Sequence, residues 1–263
     1  MSCLSKFLFV CSLICVTNVY AFPSGIQAGL GLSVLGGLNV FAGYKFNGVG
    51  GVLDRFALRF DFADTAPVKS ALDSALDHMM RDGVSVGDGV RIDEGELDST
   101  HYSALIDFYP FDGKWRISAG YMFADINMKS SIIGEIAEIP SQRFYFYING
   151  DHYYYNGNVF RGSTSIDWDY NGPYIGTGLD IGLGCRFSLY LDAGVVYTNR
   201  PARLSMKIPH EQLYIYDKNT ASWSPVSVPK LDSDVAAATE DANRKLSHIR
   251  LAPVVKLGFM YRF

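Results

Sequence analysis

The chain has 263 residues, is 48% hydrophobic and 14% aromatic, and carries 23 Lys and Arg against 27 Asp and Glu, for a net charge of −4. Its charged fraction, 19%, falls below the ~25% of ordinary soluble domains. No basic field marks a nucleic-acid binder, and the apolar content excludes intrinsic disorder. Beyond the first 21 residues no apolar run approaches the ~18 needed for a membrane helix. An all-β chain remains, either soluble or a closed barrel in an outer membrane.

Residues 1–21 place Lys6 ahead of an apolar run at 7–16, then Val19 at −3 and Ala21 at −1 of a cleavage point. This predicts a secretory signal peptide removed after Ala21 and an outer-membrane barrel domain over 22–263. Cleavage takes Cys3, Cys11 and Cys15 and leaves Cys185. No intramolecular disulfide and no Cys-based metal site is then expected.

Downstream the chain alternates with a period of two, the signature of strands with one apolar face. Leu30, Leu32 and Val34 alternate with Gly29, Gly31 and Ser33, and Gly36-Gly37 marks a turn. Residues 26–46 thus read as two strands, one long strand being the alternative. Leu38 to Phe46, Phe56 to Phe62, Tyr102 to Phe108, Trp115 to Phe123, Pro173 to Leu179 and Phe187 to Tyr197 repeat the pattern on every second residue. From Leu251 to Phe263 all seven odd positions are apolar, ending in Leu257, Phe259, Tyr261 and Phe263. Together these predict an eight-stranded antiparallel transmembrane β-barrel. Its apolar face meets lipid, its mixed face fills the lumen, and Trp115, Tyr109, Tyr197 and Tyr261 mark the interfacial girdles. Leu257 is expected to face lipid, and Gly258 to face the lumen with room for a small polar group.

Short links at 47–51, 110–114 and 182–185 are expected on the periplasmic side, and long loops at 65–98, 128–165 and 199–249 outside. Val68, Leu72, Leu76 and Met79 or Met80 predict a helix over 67–82. Val235, Thr239, Ala242, Leu246 and Ile249 predict another over 233–248. Segments 143–160, around Asn149-Gly150-Asp151, and 213–228 read as hairpins.

The terminal Leu257-x-Phe259-x-Tyr261-x-Phe263 resembles the C-terminal assembly signal of small OmpA/OmpX-type outer-membrane barrels. Residues 107–113 and 172–178 look like strand-turn segments recurring in a group of proteobacterial outer-membrane proteins. The resemblance implies location in a Gram-negative outer membrane, with membrane lipid and the barrel-assembly machinery as partners and a monomeric barrel. It supplies no catalytic residues and no cofactor.

Three chemistries are readable. Arg55, Arg59, Arg116, Arg186, Lys256 and Arg262 fall on the lumen face with Asp61, Asp107 and Asp192. There they form either a paired network that closes an eight-stranded interior or a cationic path for anions. His101 and Ser103 share a strand face with Asp107, the residue types of an acyl-ester hydrolase. Against this, a lone H-x-S is common and the face points away from lipid. Tyr145, Tyr147, Tyr153, Tyr154 and Tyr155 offer amphipathic contact area for an extracellular or host ligand, or else simply pair across strands. His78, His152, His210 and His248 lie on separate loops without metal-ligand spacing, so no metal site is expected. The sequence thus favours a non-enzymatic structural or surface-interaction barrel, with a small channel and a lipid hydrolase as alternatives.

Overall fold

The computed structural model describes residues 25–80, 84–87, 90–111, 113–135, 144–157, 159–184 and 186–263. The expected leader and Cys185 lie outside the described residues, as do the side chains at 75–94, 132–144 and 158–160. Strands run β1 (Ile26–Ser33), β2 (Gly37–Lys45), β3 (Phe56–Asp64), β4 (Val84–Gly87), β5 (Val90–Phe108), β6 (Trp115–Glu135) and β7 (Phe144–Ile148). They continue as β8 (Asp151–Tyr155), β9 (Val159–Gly184), β10 (Phe187–Tyr197), β11 (Arg203–Lys207), β12 (Leu213–Asp217), β13 (Ser222–Pro225) and β14 (Leu251–Arg262). Two α-helices join them, α1 (Lys69–Met80) and α2 (Val228–Leu246).

Eight strands close a barrel in the order β1-β2-β3-β5-β6-β9-β10-β14, with β14 returning to β1 and every neighbouring pair antiparallel. Residues 26–46 form two strands, as the Gly36-Gly37 punctuation suggests. Their tight turn places Leu35 and Gly37 at positive φ, 68° and 73°. Closure pairs Leu30 with Phe259 and Leu32 with Leu257, so the terminal apolar stripe seals the ring.

The period-two pattern sorts side chains between two environments. Leu32, Phe60, Ile106, Ile175, Leu257 and Phe259 stand exposed around the outside, forming an apolar belt. Aromatic rings edge it on both sides. Phe111 and Trp115 stack at 5.9 Å near the short-turn end, and Phe62 meets Tyr102 at 5.2 Å toward the long-loop end. Tyr109 does not belong to these girdles. It follows the last residue of β5 and turns inward, buried, where its hydroxyl donates to Asp180 at 3.0 Å.

Gly258 corrects a second expectation. A Cβ there would lie 2.4 Å from the Leu30 carbonyl oxygen and 2.7 Å from the Tyr190 ring. The β1 and β14 backbones meet closely beneath Tyr190, so even serine does not fit without a shift.

Toward the long-loop end β5, β6 and β9 run on past the belt as a tall wall, to which β4 and β11 add. Parts of the expected loops 65–98 and 128–165 are therefore continued strand. Helix α1 occupies the expected position, and Leu72 packs against the apolar cluster at that end of the lumen. Helix α2 starts at Val228, earlier than expected, because Ser227 precedes it and a proline occupies its first turn.

The two predicted hairpins are present, and they pair with each other. β8 joins β12, giving a four-stranded sheet in the order β13-β12-β8-β7. α2 covers one face of this sheet. Ile148, Tyr153, Leu213 and Leu231 form the buried core between them, flanked by Ile215, Val235 and Ala238. The side-chain amide of Asn243, on α2, donates to the Leu204 carbonyl at 3.0 Å and accepts from its N–H at 2.7 Å. This satisfies part of the backbone edge of β11 and ties the cap to the barrel wall.

Candidate functional site

The lumen is filled by its own side chains. Among the described residues, every barrel strand sends in at least one buried group, from Gln27 on β1 to Lys256 and Met260 on β14. Arg59 lies 2.6 Å from Asp192, 3.1 Å from Asp107 and 3.6 Å from Asp61. Arg116 pairs with Asp180 and Asp192, Lys256 with Asp61 at 3.1 Å, and Arg262 with Asp180 at 2.9 Å. Ser103 and Ser118 donate to Asp61 and Asp107. Four cations thus meet four carboxylates. The balance has a simple cause: a buried charge without a partner costs several kcal/mol.

Six of the residues expected in this network take part with Lys256, namely Arg59, Asp61, Asp107, Arg116, Asp192 and Arg262. Arg55 and Arg186 do not. Both are exposed at the short-turn end, where Arg55 donates to the Pro110 carbonyl at 3.2 Å and Arg186 sits at φ 70° in the turn before β10. Each lies just outside a strand, so face alternation no longer fixes its direction. Asp180 is the member that alternation on β9 carried but its neighbours Gly176 and Gly178 obscured. Above the ionic layer the contents change. Leu105, Met122, Ile126, Tyr170, Tyr174 and Val254 fill the long-loop end with apolar packing.

His101, Ser103 and Asp107 share the inward face of β5 but do not converge. His101 Nε2 lies 2.9 Å from Ser99 Oγ, whereas Ser103 donates to Asp61 at 3.2 Å and Asp107 is held by Arg59. His101 Nδ1 has no hydrogen-bond partner and the residue is buried. A hydrolytic triad needs an acid on that nitrogen to orient the ring. Among the described residues no cluster of His, Cys, Asp and Glu has the arrangement of a metal site.

The Tyr-rich segment divides between the two faces of the cap sheet. Tyr153 faces α2 and is fully buried, and Tyr155 packs at the edge of the same core. Tyr153 is therefore not available as binding surface, and Tyr155 is so only in part. Tyr153 donates to Asp234 on α2, which also accepts from Asn149 at 3.3 Å and from Lys230 at 2.8 Å. Burial works against ionisation of Asp234, but the bonds from Lys230, Tyr153 and Asn149 prevail and hold its carboxyl below the usual carboxylate range. The Tyr153 phenol is pushed well up by burial and by its bond to that carboxylate.

The opposite face carries Tyr145, Tyr147 and Tyr154, joined by residues that sequence reading passed over. Two successive rungs cross the sheet. One runs Tyr145, Tyr154, Tyr214; the other sets Tyr147 opposite His152 and Tyr216 opposite Trp223, with the His152 and Tyr216 rings 6.4 Å apart. Tyr147 and His152 stack at 4.5 Å with 7° between planes, and Tyr154 and Tyr214 at 5.0 Å with 22°. The Trp223 indole leans over this row, 5.1–5.5 Å from His152, Tyr216, Tyr154 and Tyr145 at angles of 45–82°. Tyr154 beneath is 6% exposed, whereas Tyr145 is 39% and Tyr147 71% exposed. The signal was present in Tyr214-x-Tyr216 and Ser222-Trp223-Ser224, but only the β8–β12 pairing brings the two hairpins into one surface.

No protein-family model matches the chain, and no curated protein matches it. Among solved structures it is similar to Acinetobacter baumannii CarO, with a TM-score of 0.56 at 12% identity over 91% of this chain and 98% of that one. It is also similar to Acinetobacter baumannii CarO2, with a TM-score of 0.58 at 12% identity over 92% of this chain and all of that one. At such identity the likeness is one of fold, and the fold it shows is the closed antiparallel barrel of eight strands.

Proposed function

We propose that the protein is a non-enzymatic outer-membrane barrel whose lumen is closed and whose work is done by the cap at its long-loop end. The carrying observation is the division of labour between the two parts. The apolar belt with its two aromatic edges suits a bilayer and leaves the long loops on the cell surface. The ionic layer and the apolar packing above it stack across the interior, which favours a plug over a path. The cap spends a helix and a second sheet core on holding one aromatic face rigid, an expense that a mere connection between strands does not need. The leader and the terminal aromatic stripe, which resembles that of OmpA/OmpX-type barrels, support export and assembly at the outer membrane.

The test uses Gram-negative cells producing the protein, exposed to arrays of immobilised proteins and glycans. Retention by at least one immobilised class is expected, and it should disappear when residues 144–155 are replaced by a short turn. Steady single-channel conductance of the intact protein in planar bilayers, or retention unaffected by the replacement, would overturn the reading.

A further inference from the structure

The aromatic face of the cap is a surface with a definite chemistry. Its two rungs offer six rings and one imidazole, with phenol hydroxyls at the tips and no Asp, Glu, Lys or Arg among them. The adjoining charges lie on the other face: Asp151 turns toward α2, where Lys230 holds both it and Asp234. An uncharged surface is poorly matched to nucleic acid, which requires a basic groove beside its stacking rings. It is equally poorly matched to phosphorylated or strongly acidic ligands, which call for Arg or Lys.

The face itself offers no backbone for a polypeptide in extended form to pair with. β8 and β12 are the central strands, and their backbone groups are taken by neighbours on either side. Strand addition needs an open edge rather than a face. What the face does present is one indole plane, packed edgewise from below by His152 and Tyr154, with exposed phenols beside it. A plane with polar groups around its margin matches a molecule that is apolar on its flat face and hydroxylated at its rim. Tyr and Trp both combine an apolar body with a polar tip.

We infer that this face binds a neutral polysaccharide, with a pyranose ring seated on Trp223 and its hydroxyls bonded by the flanking Tyr145, Tyr147 and Tyr216 side chains. The inference rests on the reading of the cap as the working part and names its ligand class. Rigidity serves the same end. Stacking of Tyr147 on His152 and of Tyr154 on Tyr214 fixes the platform before any ligand arrives, so little conformational entropy is lost on contact.

The experiment takes the full-length protein in a detergent without a sugar headgroup. Neutral cellohexaose, maltohexaose and chitohexaose are titrated while heat and tryptophan emission are recorded. At least one should bind saturably. Trp223→Ala should then weaken binding about tenfold or more, as loss of a central aromatic anchor does. Trp223→Phe should recover part of it, and Tyr147→Ala should weaken it about threefold to tenfold. Ser224→Ala, on the helix-side rung, should leave binding unchanged and serves as the folding control. Failure of all three oligosaccharides at millimolar concentration, an unchanged affinity for Trp223→Ala, or preference for a proline-rich decapeptide would overturn the inference. Array retention of cells separates the two levels. If Trp223→Ala abolishes retention while no neutral oligosaccharide binds, the ligand class is wrong and the cap remains the working part. If retention of the Trp223→Ala cells is unchanged while the 144–155 replacement abolishes it, the inference falls and the cap remains the working part; if neither change affects retention, both fall.

Discussion

The barrel and the cap are built from the same alternating strands and solve opposite problems. In the barrel the apolar side chains face out and the charges are sealed inside, where each must find a counter-charge. In the cap the aliphatic side chains face a helix, as in a water-soluble fold, and the exposed face keeps its aromatics. A protein adapted only to lipid would not need the second arrangement, and one adapted only to water would not survive the first. The comparison shows that period two sets which residues share a face, while the surroundings decide what that face is for.

The contrast is broken most severely from inside the barrel. Arg116→Ala leaves four buried carboxylates with three cations, Asp180 keeping only Arg262 and Asp192 only Arg59, and removal of one partner from such a network costs about 3–5 kcal/mol. Urea unfolding in detergent micelles, read by loss of the heat-modifiable compact band, should show the drop. On the outer face, Leu257→Arg should cost about 2–4 kcal/mol, the expense of a cation facing the middle of the bilayer. Insertion into lipid vesicles should fail at conditions where wild type inserts, and Leu257→Val should behave like wild type. Gly258→Ser should also be damaging, through collision with the Leu30 carbonyl and not through polarity.

Asp234→Ala tests the cap alone. It strands the Tyr153 hydroxyl and leaves Lys230 with Asp151 alone, a loss of about 1–3 kcal/mol for a buried bonded group. Protease cleavage within 208–246 should rise while the barrel keeps its heat-modifiable band. The same carboxyl gives a pH signature. Its folded-state pKa lies below the unfolded value, so its contribution is complete above the unfolded value of about 4 and is lost as pH falls through the folded one. Cap protease sensitivity should therefore rise in acid before the barrel responds, and Asp234→Ala should abolish that difference. The smallest change is expected for Lys245→Ala. Its i,i+4 pair with Asp241 is solvent-exposed, and the urea midpoint should not move measurably.

The barrel was largely legible because each strand carries its own register in its sequence. Leu257 and Gly258, or Tyr190 and Leu191, announce their faces without knowledge of a partner. Legibility failed where a residue leaves the strand, as at Tyr109, Arg55 and Arg186, and where two close backbones meet, as at Gly258. In the cap, both hairpins and the helix stripes could be seen, but the surface could not. Tyr145 and Trp223 become neighbours only through the pairing of β8 with β12, across a stretch of chain that includes β9, β10 and β11. Local periodicity contains no record of such a pairing, so Tyr153 and Tyr154 looked equivalent although one serves the core and the other the face.

The tall wall has a mechanical meaning. β6 and β9 are bonded to one another over 21 consecutive rungs, from Trp115 opposite Leu179 to Glu135 opposite Val159. A tug on the cap away from the membrane runs along these strands rather than across them. Because β7 and β8 join the long-loop ends of both strands, β6 and β9 are drawn together as one unit, and the load passes lengthwise into the ladders that they share with β5 and β10. Ladders loaded lengthwise yield only when many backbone hydrogen bonds fail together, whereas a pull at right angles would part them one by one.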